Sequence, residues 1–564
     1  MGKQEQRASL QKQLDSFSES VRLIDERIAT FVSPADVDLQ LLKDQEALRR
    51  QIADLERQLA HLDGAYDVTI PAPVGDFTGR EQELADLTAA LATGTGAAIT
   101  GVRGMGGIGK SQLAYAVAHR LKAHYPKQVM IALLGSTPAP LAPATALQRI
   151  IQHFAPTAQL PDDLPSLTAI YQGCLQEHGQ PVLILADDAA DAAQTRPLLP
   201  PPGCALIVTS RTHIELEGMV TRNLDTLKPD DAIALLHSIA PRIGDAAPEL
   251  ARLCGYLPLA LRVSASLLDA DETRAVARYL TQLEAERLHH LADPDGDPND
   301  PQASVAASFA LSYAALPAPA QQTFAQLGVF VGGFDLPAAL AVVELTTKDT
   351  KDTKDEMSEL HRLLHQLARA TGKPFDLKSD EEKAAIEQQM SLLVRRSLLG
   401  YDPATARYSQ HDLLRDYGRT RLPADAERAA RLRHARYYAN LLWEMRNLYH
   451  KGNEHMLQAL ALFDQERQQT DAVWQWLLEP VAGQGTPPAD AERDGLILDM
   501  AVATAYTGGL RYSTRNERIP QLAALAAAGR RLERKDAEGM ALGNLGNAHY
   551  ALGDARRAIT YHEQ

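Results

Sequence analysis

The sequence predicts a multidomain chain: an N-terminal helical hairpin, an α/β domain on a parallel sheet, then helical domains. Three observations carry this. Apolar residues repeat at alternating spacings of four and three through the first 62 positions. Four short apolar runs alternate with helical patterns between residues 97 and 209. From about Leu227 the strand-like runs fade and helical patterns dominate. A chain of 564 residues holds about three to five domains. With 45% hydrophobic and 23% charged residues, wholesale disorder is excluded.

In the first segment, Leu10, Leu14, Phe17, Val21, Ile24, Ile28 and Phe31 form a coiled-coil seam that stops at Ser33-Pro34. A second seam follows through Leu41, Leu48, Ile52, Leu55, Leu59 and Leu62, with Gln45 in one apolar slot. Two helices of similar length around a proline turn read as a hairpin, either an intramolecular spacer or a self-association or partner-docking module. A short linker, 64–73, leads to the α/β texture. Ala97–Val102, Val129–Leu134, Val182–Ala186 and Ala205–Thr209 read as buried parallel strands. The charged tract TTKDTKDTKDE at 346–356 reads as an exposed insertion.

The net charge of −15 argues against a general nucleic-acid or anionic-membrane binder, so nucleic acid is not an expected partner. Cys174, Cys204 and Cys254 have neither disulfide-framework nor zinc spacing and read as buried thiols of a cytoplasmic protein. The most apolar stretch, Phe324–Val343, is interrupted by Gln326, Gly332, Gly333, Asp335 and Pro337, so no membrane span is expected.

The strongest chemical signal is Gly104-Met105-Gly106-Gly107-Ile108-Gly109-Lys110-Ser111, directly after the first strand run. The glycines Gly104, Gly106, Gly107 and Gly109 let backbone N–H groups turn inward onto phosphate oxygens, and the following helix adds its positive N-terminal end. Lys110 is expected to reach the β- and γ-phosphates, Ser111 to hold Mg²⁺, and Gln112 to stand beside them. The run Val182–Ala186 ends in Asp187 and Asp188. Asp187 is expected to bind the Mg²⁺ hydration shell, with Ser111 as the other metal-site residue, and Asp188 to orient or polarise the attacking water. Arg211, at the tip of the run Ala205–Thr209, is placed to sense a γ-phosphate. Asp191 reads as a helix cap or loop acid.

In this order the motifs resemble those of STAND-class signalling ATPases of the NB-ARC type. Phe77-Thr-Gly-Arg80-Glu81 is similar to the segment that precedes the phosphate loop in that family and folds over the nucleotide. Cys254-Gly255-Tyr256-Leu257-Pro258-Leu-Ala-Leu261 resembles the GLPLAL box, with Tyr256 as an extra residue, and implies that Pro258 packs near adenine. Tyr408-Ser-Gln410-His411-Asp412-Leu resembles the MHD motif, with Gln410 in the methionine position, and implies that His411 contacts the β-phosphate of ADP from a winged-helix subdomain. Phe324–Val343 resembles the start of that subdomain, with a structural role preferred over DNA binding because its flanks are not basic. Residues Gly543–Asp554, with Ala558 and Tyr561, resemble one tetratricopeptide repeat.

The resemblance implies a division into a hairpin (1–63), a nucleotide-binding domain (74–225), a helical subdomain (226–295), a winged helix (300–420) with a charged insertion at 346–383, a helical linker (421–535) and a first partial repeat (536–564). It implies ADP or ATP as cofactor with Mg²⁺ and slow ATP hydrolysis. It further implies nucleotide-dependent self-assembly, an effector on residues 1–62, and a trigger read by further repeats beyond residue 564. A transcriptional regulator with ATP-dependent assembly is the alternative.

Overall fold

The structure, a computed structural model, describes residues 70–92, 96–101, 106–137, 139–290, 301–345, 378–479 and 490–564. The hairpin expected at 1–63, most of the charged insertion and Gly104 lie outside the described residues. The chain divides into two compact units, Met1–Thr69 and Ile70–Gln564, and everything described belongs to the second.

Five strands, β1 (Gly96–Gly101), β2 (Lys127–Ala132), β3 (Val182–Ala189), β4 (Ala205–Ser210) and β5 (Met219–Leu224), form one parallel sheet in the order β2-β3-β4-β1-β5. The four apolar runs are β1 to β4. β4 is buried along its whole length and β3 from Val182 to Ala186, which is why both read as continuous apolar segments. Sequence reading missed β5. It is an edge strand, Met-Val-Thr-Arg-Asn-Leu, in which only Leu224 is buried, so no apolar run marks it. β3 also runs three residues beyond its apolar stretch, through a register shift against β4 between Ala186 and Ala189. A strand order in which β4 intervenes brings the C-terminal tips of β1, β4 and β3 side by side. That edge is where ligands bind in open α/β sheets.

Four helices serve this sheet: α1 (Glu81–Ala92), α2 (Lys110–Arg120), α3 (Pro143–Phe154) and α4 (Leu164–Glu177). α2 follows the phosphate loop directly. It starts at Gly109, whose φ of 96° is a left-handed conformation that glycine adopts without a steric cost. Helices α5 (Pro229–Ile239), α6 (Ala247–Leu253), α7 (Pro258–Ala270) and α8 (Val276–His290) follow. α7 starts with proline at its first position, where the missing N–H costs nothing.

Next come α9 (Pro301–Ala314), α10 (Ala318–Leu327), β6 (Gly333–Phe334), α11 (Leu336–Val342), α12 (Asp380–Arg395), β7 (Gly400–Asp402), β8 (Arg407–Ser409) and α13 (Asp412–Arg419). β6, β8 and β7 form a small antiparallel sheet in that order. These helices and this small sheet lie in the region where the resemblance implies a winged helix. The last four residues assigned to the charged insertion open α12 instead, because Ser379 and Glu382 form a reciprocal capping box.

Long helices α14 (Ala424–Tyr449) and α15 (Asn453–Leu478) then pair. They are followed by α16 (Ala491–Ala503), α17 (Ile519–Arg531), α18 (Lys535–Ala551) and α19 (Ala555–Glu563). The last two close tightly: a Cβ on Gly546 would come within 2.5 Å of the His562 ring. Among the described residues no helix is long and apolar enough to cross a membrane.

Candidate functional site

The carboxylate of Asp187, near the tip of β3, is densely surrounded, while the residue is only part-buried. Its Oδ1 accepts hydrogen bonds from Ser111 Oγ at 2.8 Å and from Thr209 Oγ1 at 2.5 Å. Burial raises its pKa above the usual carboxylate value, and the two hydroxyls pull it partly back. The neighbouring backbone is unusual. Asp188 adopts φ 57°, and its N–H donates to Thr209 Oγ1 at 2.9 Å. Thr209 on β4 thus serves both acids, filling the irregularity in β3 with its hydroxyl. Asp188 Oδ2 accepts from Ser136 N at 3.0 Å and Ser136 Oγ at 2.7 Å, which leaves Oδ1 facing Arg211 Nε at 3.6 Å.

The loop after β2 must pass close to this bulge. Gly135 N donates to Asp188 O at 2.6 Å, and a Cβ on Gly135 would fall 2.2 Å from Ala190 N. Gly135→Ala is therefore expected to destabilise the nucleotide domain by about 2–3 kcal/mol, since backbone must move to admit the methyl. A thermal unfolding series checks this; an unchanged first transition contradicts it.

Lys110, at the start of α2, is buried to 9% exposure. Burial first, and Arg211 second, lower its pKa to about 8, against the pull of Asp188 and Asp187. The loop itself is braced from three sides. Arg80 (6% exposed) donates to Ile108 O at 3.4 Å and to Asp225 O, so its guanidinium ties the loop to the strand-to-helix connection after β5. The N-terminus of α7 lies against the loop. Leu259 N donates to Gly107 O at 3.4 Å, and Pro258 Cγ stands 4.0 Å from where a Gly109 Cβ would be. The third side is α13: a Cβ on Gly106 would meet Leu413 Cδ1 at 3.0 Å. Glycine at 106 and 107 is thus needed as much for these neighbours as for backbone curvature. Gln112 is turned away, its Oε1 accepting from Val74 N at 2.9 Å to fasten the preceding segment.

His411 caps α13, with Nδ1 accepting from Leu413 N at 3.2 Å. As a residue it is exposed, with Asp412, Arg211, Arg415 and Lys110 as its charged neighbours. Its pKa is lowered by burial, against the pull of Asp412 and together with the cations Arg211, Arg415 and Lys110. Asp412 bridges the two halves: Oδ2 faces Arg211 at 3.6 Å and Oδ1 meets Arg415 at 2.7 Å. A chain of alternating charge therefore runs from Asp188 through Arg211 and Asp412 to Arg415. Gln410 is buried and neither amide atom has a hydrogen-bond partner within the protein.

The structure thus brings Gly106, Gly107, Gly109, Lys110, Ser111, Asp187, Asp188, Arg211, Pro258 and His411 together beside the C-terminal edge of the sheet, with Arg80 behind the loop and Gln112 off to one side. Asp191 caps a single helical turn, accepting from Gln194 N at 2.8 Å, as expected of a loop acid. Sequence reading missed Thr209, Ser136 and Arg415 as site residues. Thr209 was legible, as a hydroxyl at the end of a buried strand. Ser136 and Arg415 have no local signature; only the fold brings them here.

No family profile matches the sequence. A regulatory protein of Streptomyces griseus, AfsR, is 35% identical over 343 residues, covering 58% of this chain and 34% of its own. The AfsR protein of Streptomyces coelicolor is 35% identical over 330 residues, covering 54% and 32%. A probable disease resistance protein of Arabidopsis thaliana is 25% identical over 183 residues, 30% of this chain and 21% of its own. The chain is thus similar, over part of its length, to two bacterial regulatory proteins and to a probable plant disease resistance protein. Among solved structures, a STAND protein with a tetratricopeptide repeat sensor from Pyrococcus horikoshii aligns over 87% of this chain and 77% of its own, at 12% identity and TM-score 0.38. The chain spans about a third of the length of the AfsR relatives.

Proposed function

We propose that this STAND-type chain is an ADP/ATP-controlled assembly switch, with ADP bound in the closed arrangement described above. The observation that carries the reading is the direct seating of α13 on the phosphate loop, Leu413 against Gly106, with His411 and Asp412 beside Lys110 and Arg211. A nucleotide on the phosphate loop would touch both the sheet domain and α13, so its phosphates would set how tightly the two hold together. ADP leaves Arg211 on Asp412. A γ-phosphate would compete with Asp412 for Arg211 and loosen the winged helix.

The residues fit Mg²⁺ as phosphate-bound nucleotides carry it. A hydroxyl, Ser111, stands 2.8 Å from a carboxylate oxygen of Asp187, the kind of hard oxygen donors that such an ion takes. Among the described residues there is no cage of three or more His, Cys, Asp or Glu, so the ion would arrive with the nucleotide. When bound, the ion would neutralise phosphate charge. Asp187 would hold its hydration shell, Asp188 would orient water, and Lys110 would bind phosphate oxygens. Pro258 and His411 would contact the base and the β-phosphate, and slow hydrolysis would reset the switch. In this reading the protein works in the cytoplasm, residues 1–62 recruit an effector on assembly, and the repeat-like pair α18 and α19 takes part in sensing the trigger.

Lys110 gives the reading a pH signature. Phosphate is met by the ammonium form, and the free chain loses that form as pH rises through about 8. Because the folded value lies below that of a free lysine, binding must take up a proton above this pH. ADP affinity is therefore expected to fall by about tenfold per pH unit above roughly pH 8. Calorimetric titrations from pH 7 to 9.5 check this; a flat profile contradicts it.

The test of the function itself is to extract and identify the nucleotide that co-purifies, with molecular mass measured before and after exchange into an ATP analogue. A second reading, a transcriptional regulator that assembles with ATP, is favoured by the regulatory proteins that are 35% identical over more than half of the chain. A salt-dependent DNA shift by the full-length protein would select it.

A further inference from the structure

The outer face of the nucleotide domain meets the C-terminal helices through polar groups. From α3, Arg149 NH2 lies 2.7 Å from Asp471 Oδ2 and 3.2 Å from Glu517 Oε1, and Gln152 Nε2 donates to Leu510 O at 2.7 Å. Just beyond α3, Pro156 O accepts from Arg511 NH1 at 2.6 Å. Asp162 Oδ1 accepts from Ser513 Oγ at 2.7 Å and Thr514 N at 3.1 Å. On the helical side these groups are themselves cross-braced. Arg467 meets Glu517 at 3.1 Å, and Arg511 Nε meets Asp464 at 2.6 Å.

Two features set this seam apart. Among the described residues, the apolar cluster that buries Leu147, Ile150 and Ile151 of α3 includes residues from Val129 to Met219 and none beyond, so no described hydrophobic core crosses the seam. Its helical side is irregular: a short turn at Thr507–Arg511 is followed by a π-helical turn at Thr514–Arg518, which runs straight into α17. α17 in turn packs on α18, the first helix of the repeat-like pair, where a Cβ on Gly529 would lie 2.9 Å from Glu538 N. An interface without apolar continuity can part without exposing hydrophobic surface. One held by buried charge fails sharply when a single partner is withdrawn.

We propose that residues 507–518 form a releasable latch, which holds the nucleotide domain through Arg149, Gln152, Pro156 and Asp162 and is pulled by movement of α17–α19. Load on the terminal helices would rotate the π-helical turn, withdraw Glu517 and Ser513, and leave Arg149 with half its partners. The latch is a second restraint on the closed arrangement, formed by residues other than those of the His411 contact. That it restrains the switch rests on the function proposed above; that it is a separable polar seam does not.

The test is amide hydrogen exchange on the full chain without added nucleotide, comparing wild type with Arg149→Met and Asp162→Ala. Arg149→Met keeps the side-chain length but removes the charge. Asp162→Ala, in a loop, serves where the first variant does not fold. Residues 507–518 are expected to exchange about tenfold faster in either variant, with α17 and the central sheet unchanged. Arg530→Met, which removes an exposed pair with Glu538 on the far side of α17, is expected to leave 507–518 as in wild type. Unchanged exchange at 507–518 in a folded Arg149→Met or Asp162→Ala chain overturns the latch. A chain that binds no nucleotide yet shows the faster exchange overturns the switch and leaves the seam standing.

Discussion

Lys110→Ala is expected to weaken both ADP and ATP binding by about 30- to 5,000-fold. The ammonium is buried at the start of α2 between the loop glycines and the two acids. A phosphate there replaces the water that the lysine has already lost, so the attraction is little screened. Removing one partner of such a desolvated charge pair costs about 2–5 kcal/mol, which is the fold-change stated. The fold should survive, because Lys110 is destabilised by its own burial and its loss relieves that penalty. Equilibrium titration with a fluorescent ADP analogue measures the effect. Binding within threefold of wild type would mean that the loop does not hold phosphate.

His411→Ala is expected to move the chain from its closed form toward assembly, raising the oligomeric fraction about tenfold at fixed concentration. Two contributions add. The Nδ1 cap on Leu413 N is lost, which costs the first turn of α13 about 1 kcal/mol. The ring's place among Asp412, Arg211 and Lys110 is emptied, and water enters between the winged helix and the loop. Because α13 is the element that seats Leu413 on Gly106, a frayed first turn weakens the closed state specifically. A penalty of 1–2 kcal/mol on one of two states shifts their ratio by about 5- to 30-fold. Sedimentation velocity reads it. An unchanged monomer, with nucleotide content also unchanged, would remove His411 from the closure.

How much of this was legible in the sequence differs by element. The phosphate loop and β3 were, because burial on both faces writes an uninterrupted apolar run and the chemistry sits at its end. β5 was not, since an edge strand needs no such run and its Arg222 and Asn223 are exposed. The acids at 187 and 188 were legible as a pair but not in their division of labour. That division comes from Thr209 reaching into the β3 bulge and from Ser136 arriving on a loop fifty residues away in sequence. Arg80 illustrates a different limit. Its motif marks a residue near the nucleotide, while its burial and its bond to Ile108 O show it supporting the loop from behind. The seam from Arg149 to Glu517 left no trace at all, because its partners lie more than three hundred residues apart and each alone reads as a surface charge.

The central claim is that a bound nucleotide sets the closure of α13 on the phosphate loop and thereby assembly. Its most direct test is native mass measurement of the purified chain, before and after exchange of its endogenous nucleotide for a non-hydrolysable ATP analogue. The account predicts about one ADP per chain and a monomer at the outset, converting to a larger assembly on exchange. A chain that carries no adenine nucleotide, and keeps one mass with ADP, with the analogue and without either, would contradict it.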